Sequence, residues 1–233
     1  MDEGIRSYNA RRGRLSPRQR QVLAEMSSEY DLATMPDPLD LDVVFGRRAG
    51  RILEIGSGLG DAALITAAEH PDLDYIAADV HTKGIARTLL QIQERGLTNL
   101  RVLHGDALDL ISRRLPPACL QQILVFFPDP WPKARHNKRR LVRDEFVRAA
   151  AQVLEPGGTL HLATDDRDYA RVMREVLGRE PAMVCVHDGS RVPSRPRTKY
   201  EIAGEQQGRL AVDLVYAMRG QVQPEHDRYD LRA

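Results

Sequence analysis

The sequence predicts an α/β fold whose mostly parallel sheet is covered by helices on both faces. Three observations predict it. Short apolar runs alternate with helical patterns from residue 51 to residue 178, and strands separated by helices imply right-handed βαβ units. The first run is stopped by a glycine-rich turn, EIGSGLGD at 54–61. Each of the first five predicted strands also ends on a carboxylate, at the edge where open parallel sheets bind ligands.

Taken in order, LSPRQRQVLAEM opens a helix with Ser16 as cap and Pro17 in the first turn. MPDPLDLD (35–42) is expected as a loop. RILEI (51–55) is the first strand, and LGDAALITAAEH (59–70) the helix that covers it. DYIAADV (74–80) and KGIARTLLQIQERG (83–96) repeat the pair, closing at Gly96. LRVLHGD (100–106) and QQILVFF (121–127) are the third and fourth strands. KRRLVRDEFVRAAAQVLEPGG (138–158) reads as one long amphipathic helix stopped by Pro-Gly-Gly. TLHLATD (159–165) is the fifth strand, with a helix over 166–178. MVCVH (183–187) and AVDLVYAMR (211–219) follow with no helix evident between them, so this pair is expected antiparallel at one edge. The organisation predicted is a basic arm over 1–20, one domain over 21–220 and a tail over 221–233.

The apolar fraction of 42% and the charged fraction of 29% are those of a globular protein, long enough at 233 residues for a substantial core. No apolar run approaches the ~20 residues that cross a bilayer, and MDEGIRSYNARRGR lacks the apolar core of a signal peptide. Cys119 and Cys185 are isolated, which suggests neither a disulfide framework nor a zinc site and fits a reducing cytoplasm. His81, His104 and His136 are dispersed, and no metal site is expected. Charge is strongly segregated. Residues 5–20 carry six Arg, 133–143 six Lys or Arg, and 191–199 four, all without an acid. The remainder holds 18 bases against 33 acids. That is the footprint of a polyanion-binding face on an acidic body.

The strand-end acids are Glu54, Asp79, Asp106, Asp129 and Asp165. Glycines 56, 58 and 60 let the backbone pass close under a ligand, yet Asp61 stands where a dinucleotide fingerprint wants its third glycine. Asp79 is placed for ribose hydroxyls and Asp106 for an adenine edge. An acidic pocket without a phosphate signature suits S-adenosylmethionine, which carries a ribose, an adenine and a positive charge. In FFPDPWPKARHNKRR (126–140), Pro128 and Pro130 fix φ on both sides of Asp129 and aim its carboxylate. Trp131 can brace that turn or stack on a base. The block KARHNKRR is expected to start the next helix and to meet phosphate there. Three rival readings remain: a methyltransferase for another RNA, a small-molecule methyltransferase, which does not need the basic segments, and a non-catalytic RNA-binding protein, which does not need an acid at every strand end.

LEIGSGLG, AADVH, HGDA, FFPDPWPKARHNKRR, HLATD and RPRTKYE together resemble the bacterial tRNA (guanine-N7)-methyltransferases, of the class I S-adenosylmethionine-dependent fold. The resemblance runs from the basic arm through residue 219. It implies a Rossmann-like three-layer sandwich with a seven-stranded, mostly parallel sheet and the last strand antiparallel. It also implies methyl transfer from S-adenosylmethionine to N7 of a variable-loop guanosine, tRNA position 46, by a cytoplasmic monomer or homodimer. By the same resemblance Glu54, Gly56, Gly58, Asp79, Asp106, Ala107 and Asp129 hold the cofactor, and Asp129 is the catalytic candidate. Lys133, Asp165, Thr198, Lys199, Tyr200 and Glu201 match substrate-contacting positions. Arg135, His136, Asn137, Lys138, Arg139 and Arg140 match the RNA-contacting stretch. Ser57 and Pro132 depart from the family, which often has an aromatic or Thr at the first and His at the second.

Guanine N7 has an in-plane lone pair and no proton, so methylation there needs alignment rather than a general base. A carboxylate can accept from guanine N1–H and N2–H₂ together. Asp129, Asp165 or both are expected to orient the base in this way, with Glu201 a third candidate.

Overall fold

The computed structural model describes residues 14–220; residues 1–13 of the predicted arm, the tail 221–233 and the Lys199 side chain lie outside the described parts. Helix α1 (Pro17–Tyr30) starts where the sequence predicts. Ser16 Oγ accepts from the Gln19 amide at 3.2 Å, and the Gln19 side chain accepts from the Ser16 amide at 3.0 Å. This reciprocal pair satisfies amides that a helix start leaves bare. Residues 17–20, assigned to the arm by their charge, are therefore helical.

Seven strands make one sheet: β1 (Gly50–Ile55), β2 (Leu73–Asp79), β3 (Leu100–His104), β4 (Leu120–Phe126), β5 (Leu154–Thr164), β6 (Met183–Gly189) and β7 (Val212–Met218). Their order is β3-β2-β1-β4-β5-β7-β6. The first five run parallel, and β7 lies antiparallel between β5 and β6. The order reverses between β1 and β4, so a crevice opens beyond their carboxyl ends.

The remaining helices are α2 (Leu41–Phe45), α3 (Asp61–Glu69), α4 (Thr82–Arg95), α5 (Ala107–Asp109), α6 (Asp144–Val153), α7 (Arg167–Leu177) and α8 (Lys199–Glu205). Successive strand residues face opposite ways, and in the central strands both faces are apolar. Leu53 of β1 packs with Phe146 of α6 and with Tyr169 and Met173 of α7. Its neighbour Ile52 joins Val22 of α1, Leu64 of α3 and Leu89 of α4 on the other face. Two cores thus hold the sheet between helix layers and keep its carboxyl edge in place.

Several elements differ from the sequence reading. The long helix predicted over 138–158 is only α6, and the basic block does not start it. Ala134–Arg139 winds instead into a 3₁₀ turn, while α6 begins at the acidic pair Asp144 and Glu145. The macrodipole explains the choice: acids stabilise a helix start and cations oppose it. At the other end Glu155 to Gly158 are already in β5, and Gly158 leaves room for carbonyls that a Cβ would meet at 2.9 and 3.0 Å. Helix α2 lies partly in the predicted loop, α5 continues through a wider turn to Arg114, and α8 lies between β6 and β7 where no helix was expected.

Candidate active site

The crevice holds a cavity of about 890 Å³, lined from the ends of β1 to β5 and closed by α8 and residues 208–210. Asp79, Asp106, Asp129 and Asp165 all face it. The topology therefore brings four of the five strand-end acids together.

At one end the glycine turn is folded back on β2. Gly58 sits at φ +61°, and its amide donates to Asp79 Oδ2 at 2.7 Å. Any L side chain would be strained at that φ. Gly84 of α4 lets the helix rest on the turn, since a Cβ there would lie 1.9 Å from the Gly58 carbonyl oxygen. The other Asp79 oxygen accepts from the His81 amide at 2.7 Å and contacts His81 Nδ1 at 2.8 Å. Asp106 caps α5, accepting from the Leu108 amide at 2.9 Å. Gly56, Gly58 and Ala107 also lie on the lining.

Glu54 departs from its expected place. It is buried off the lining, with Tyr75 Oη donating to its Oε2 at 3.0 Å. Its position on β1 turns it into the protein while Ile55 and Gly56 take the cavity wall. Burial, reinforced by the nearby Asp79 charge and opposed by the Tyr75 bond, pushes its pKa up to about 7.

Asp129 is held by more than its prolines. Phe127 and Trp131 bracket it at φ 53° and 44°, a region that costs a non-glycine residue about 1–2 kcal/mol. Fixed contacts hold that strain in place. The Phe127 amide donates to the Ala163 carbonyl at 2.7 Å, and Arg140 Nε donates to the Pro130 carbonyl at 2.7 Å. Trp131 braces the basic turn: Arg139 stacks 5.0 Å from its ring centre, and His136 meets it edge-on.

Arg140, expected on the RNA-contacting surface, is 4% exposed. Its guanidinium donates to Asp168 at 2.8 Å and lies over Tyr169. It anchors the loop and offers nothing to a phosphate. Lys133, Arg135, Asn137, Lys138 and Arg139 remain exposed around the 3₁₀ turn, with His136 half-buried.

A second correction concerns residues 191–199, read from charge as a polyanion face. Arg195 is 2% exposed and grips both Glu201 oxygens at 2.7 and 3.0 Å. Its Nε donates to Asp213 Oδ2 at 2.8 Å, and its guanidinium lies over Phe126 and Phe127. Arg191 approaches Glu201 at 3.0 Å, and Arg197 pairs with Glu205. Burial lowers the His161 pKa against the opposing pull of Asp213, whose Oδ2 lies 3.0 Å from His161 Nε2. Glu201 is thus engaged inside the protein rather than facing a base. Thr198 caps α8 through the Glu201 amide at 3.1 Å, and the exposed Tyr200 stands on the cavity wall. Asp165 faces the cavity with Arg209 Nε on its Oδ2 at 2.7 Å.

Sequence reasoning missed Arg140, Arg195 and Arg209 as site-building residues. Only α8 left a readable trace, in the Thr198-x-x-Glu201 capping spacing. The fit to a sulfonium nucleoside is good: a glycine cradle, Asp79 and Asp106 on one wall, and an acidic interior. Among the described residues no group of His, Cys, Asp and Glu could hold a metal ion, and no helix is long and apolar enough to cross a membrane.

Known proteins agree with this geometry. A family profile described as "Putative methyltransferase" matches residues 48–214. The tRNA (guanine-N(7)-)-methyltransferase of Nitrosospira multiformis is 44% identical over 214 residues, covering 91% of this chain and 93% of that one. Its counterpart in Thiobacillus denitrificans is 45% identical over 217 residues, covering 92% and 96%. Among solved structures, the 16S rRNA (adenine(1408)-N(1))-methyltransferase of Catenulisporales acidiphilia, crystallised with its cosubstrate SAM, superposes with a TM-score of 0.58. It covers 82% of this chain and 96% of that one at 13% identity, a likeness of fold. With that profile matching residues 48–214 and relatives this similar over nine-tenths of the sequence, the chain belongs to the tRNA (guanine-N7)-methyltransferase family of S-adenosylmethionine-dependent enzymes.

Proposed function

We propose that the chain transfers a methyl group from S-adenosylmethionine to N7 of a variable-loop guanosine in tRNA, at position 46, by direct in-line displacement. One observation carries the reading. The cavity that collects Asp79, Asp106, Asp129 and Asp165 is bordered, through the same loop, by the exposed cations of Lys133 to Arg139. A site for another RNA or a small molecule is not favoured by relatives of this identity.

The cosubstrate, when bound, supplies a methyl carbon activated on a sulfonium. Gly56, Gly58 and Ala107 would pass close beneath it, Asp79 would accept from its ribose and Asp106 would face its adenine. Glu54, one layer below, adds charge or a proton to the Asp79 side without touching the ligand. Asp129 and Asp165 would accept from the guanine N1–H and N2–H₂ donors and turn N7 toward the methyl carbon. Tyr200 stands where the base can lie against it. Thr198 would set α8 over the target nucleotide through its cap, while Lys133, Arg135, His136, Asn137, Lys138 and Arg139 would meet the backbone phosphates. No residue has to remove a proton at N7, so the protein contributes position and electrostatics.

Single-turnover transfer to unmodified tRNA, with nucleoside analysis for 7-methylguanosine, tests this reading. Asp129→Ala is expected to lower the rate by roughly 30- to 1000-fold, the equivalent of about 2–4 kcal/mol for a charged contact, with cosubstrate affinity within a few-fold of wild type. Unchanged turnover in that variant would remove Asp129 from the mechanism.

A further inference from the structure

We propose that Arg209, paired with Asp165, is a specificity-determining residue that reads guanine O6 and so rejects adenine. The inference rests on the reading of Asp165 as a base-contacting carboxylate, and it deepens that reading.

Arg209 follows α8 and returns to the cavity wall, where it and Asp165 both line the space. Their side chains are 47% and 22% exposed. The pair is therefore part of the wall an entering base would meet, unlike the fully enclosed Arg195 network. The contact runs from Arg209 Nε to Asp165 Oδ2 at 2.7 Å, and Arg209 Nη1 is turned to the Gln207 side chain. Gly204 of α8 backs directly onto the pair. A Cβ there would lie 2.7 Å from Asp165 Oδ2 and 3.7 Å from Arg209 Nη2. The helix thus packs against the pair, and a side chain at this position would have to push the Asp165 carboxylate aside.

A carboxylate bonded through one oxygen and a guanidinium bonded through Nε and Nη1 keep Oδ1 and Nη2 for other partners. This leaves one acceptor and one donor on adjoining groups, the complement of a base edge that offers a donor beside an acceptor. Guanine presents O6, an acceptor, next to N1–H, a donor; adenine presents N6–H₂ and then N1, the reverse order. N7 must face the methyl carbon for transfer, so the base cannot turn over to correct a mismatch. With N7 fixed, O6 falls to Arg209 and N1–H to Asp165. Adenine would set donor against donor and acceptor against acceptor.

The test compares unmodified tRNA carrying guanosine at the target with the same tRNA carrying 2-aminopurine riboside, which keeps N7 and the 2-amino group but lacks O6 and N1–H. Arg209→Ala and Arg209→Met, the second keeping the apolar stem, are measured for kcat/KM on both RNAs and for cosubstrate binding. Losing one base-edge contact is expected to lower kcat/KM on guanosine tRNA by about 10- to 100-fold. Activity on the 2-aminopurine tRNA should stay within about threefold, so that discrimination collapses. An equal loss on both RNAs, or no loss on either, would overturn the role of Arg209. Asp165→Asn separates the two levels of the argument. If it erases the guanosine preference while the Arg209 variants lose both substrates equally, only the Arg209 assignment fails; if it leaves the preference intact, the reading of Asp165 itself fails.

Discussion

At the scale of single residues, Glu54 and Asp79 are neighbours at the sheet edge that the fold treats differently. Asp79 accepts two backbone amides at 2.7 Å, whereas Glu54 accepts from the Tyr75 hydroxyl and has a pKa raised from 4.5 to about 7. The native state then holds the Glu54 proton more tightly than the unfolded chain does. This contributes stability that is complete below pH 4.5 and lost as pH rises through about 7. The loss amounts to about 3 kcal/mol at most, from the size of the shift. Glu54→Gln still accepts from Tyr75 and does not titrate. Urea unfolding at pH 5 and pH 8 is expected to show the variant gaining on wild type as pH rises. A gap that stays constant, or shrinks, would contradict the burial argument.

At the scale of elements, α8 is fixed by charges buried beneath it. Glu201 and Arg195 lie only six positions apart, but their third member, Asp213, comes from β7, and His161 from β5. The same Arg195 covers Phe126 and Phe127, where the loop carrying Asp129 begins. One guanidinium therefore ties α8 to the loop that carries Asp129. Removing one partner of such a network leaves the others as uncompensated buried charge, typically at 3–5 kcal/mol. Arg195→Met should destabilise the protein by about 3 kcal/mol in urea titration, since Arg191 still approaches Glu201 at 3.0 Å. A change below about 1 kcal/mol would mean the network does not hold α8.

At the scale of the whole molecule, what was legible in the sequence followed from local pattern. Strand runs, the Ser16 cap, the Gly96 stop and the glycine turn are decided within a few residues, and they were readable. So was the gathering of acids, because parallel topology sends every β1–β5 carboxyl end to one edge. The basic segments were not fully readable. Arg139 and Arg140 are adjacent and identical in composition, yet one covers Trp131 at the surface and the other is enclosed against Tyr169 and Asp168. Which cation is spent inside depends on partners 28 residues away, as for Arg140, or on another strand, as for Arg195 with Asp213 of β7; the partly exposed Arg209 likewise finds its partner 44 positions away. The start of α6 was the exception: Asp144 and Glu145 marked it, and the basic residues ahead of them misled.

The resulting molecule is an acidic cavity and a basic rim built from one loop. The most direct measurement of what that arrangement does uses two unmodified tRNA transcripts, one with guanosine at position 46 and one with adenosine there. Each is incubated with the protein and methyl-labelled S-adenosylmethionine, then digested to nucleosides. The account predicts label in 7-methylguanosine, close to one per guanosine transcript, and background from the adenosine transcript. Equal label in both transcripts, label in any other nucleoside, or none in either would contradict it.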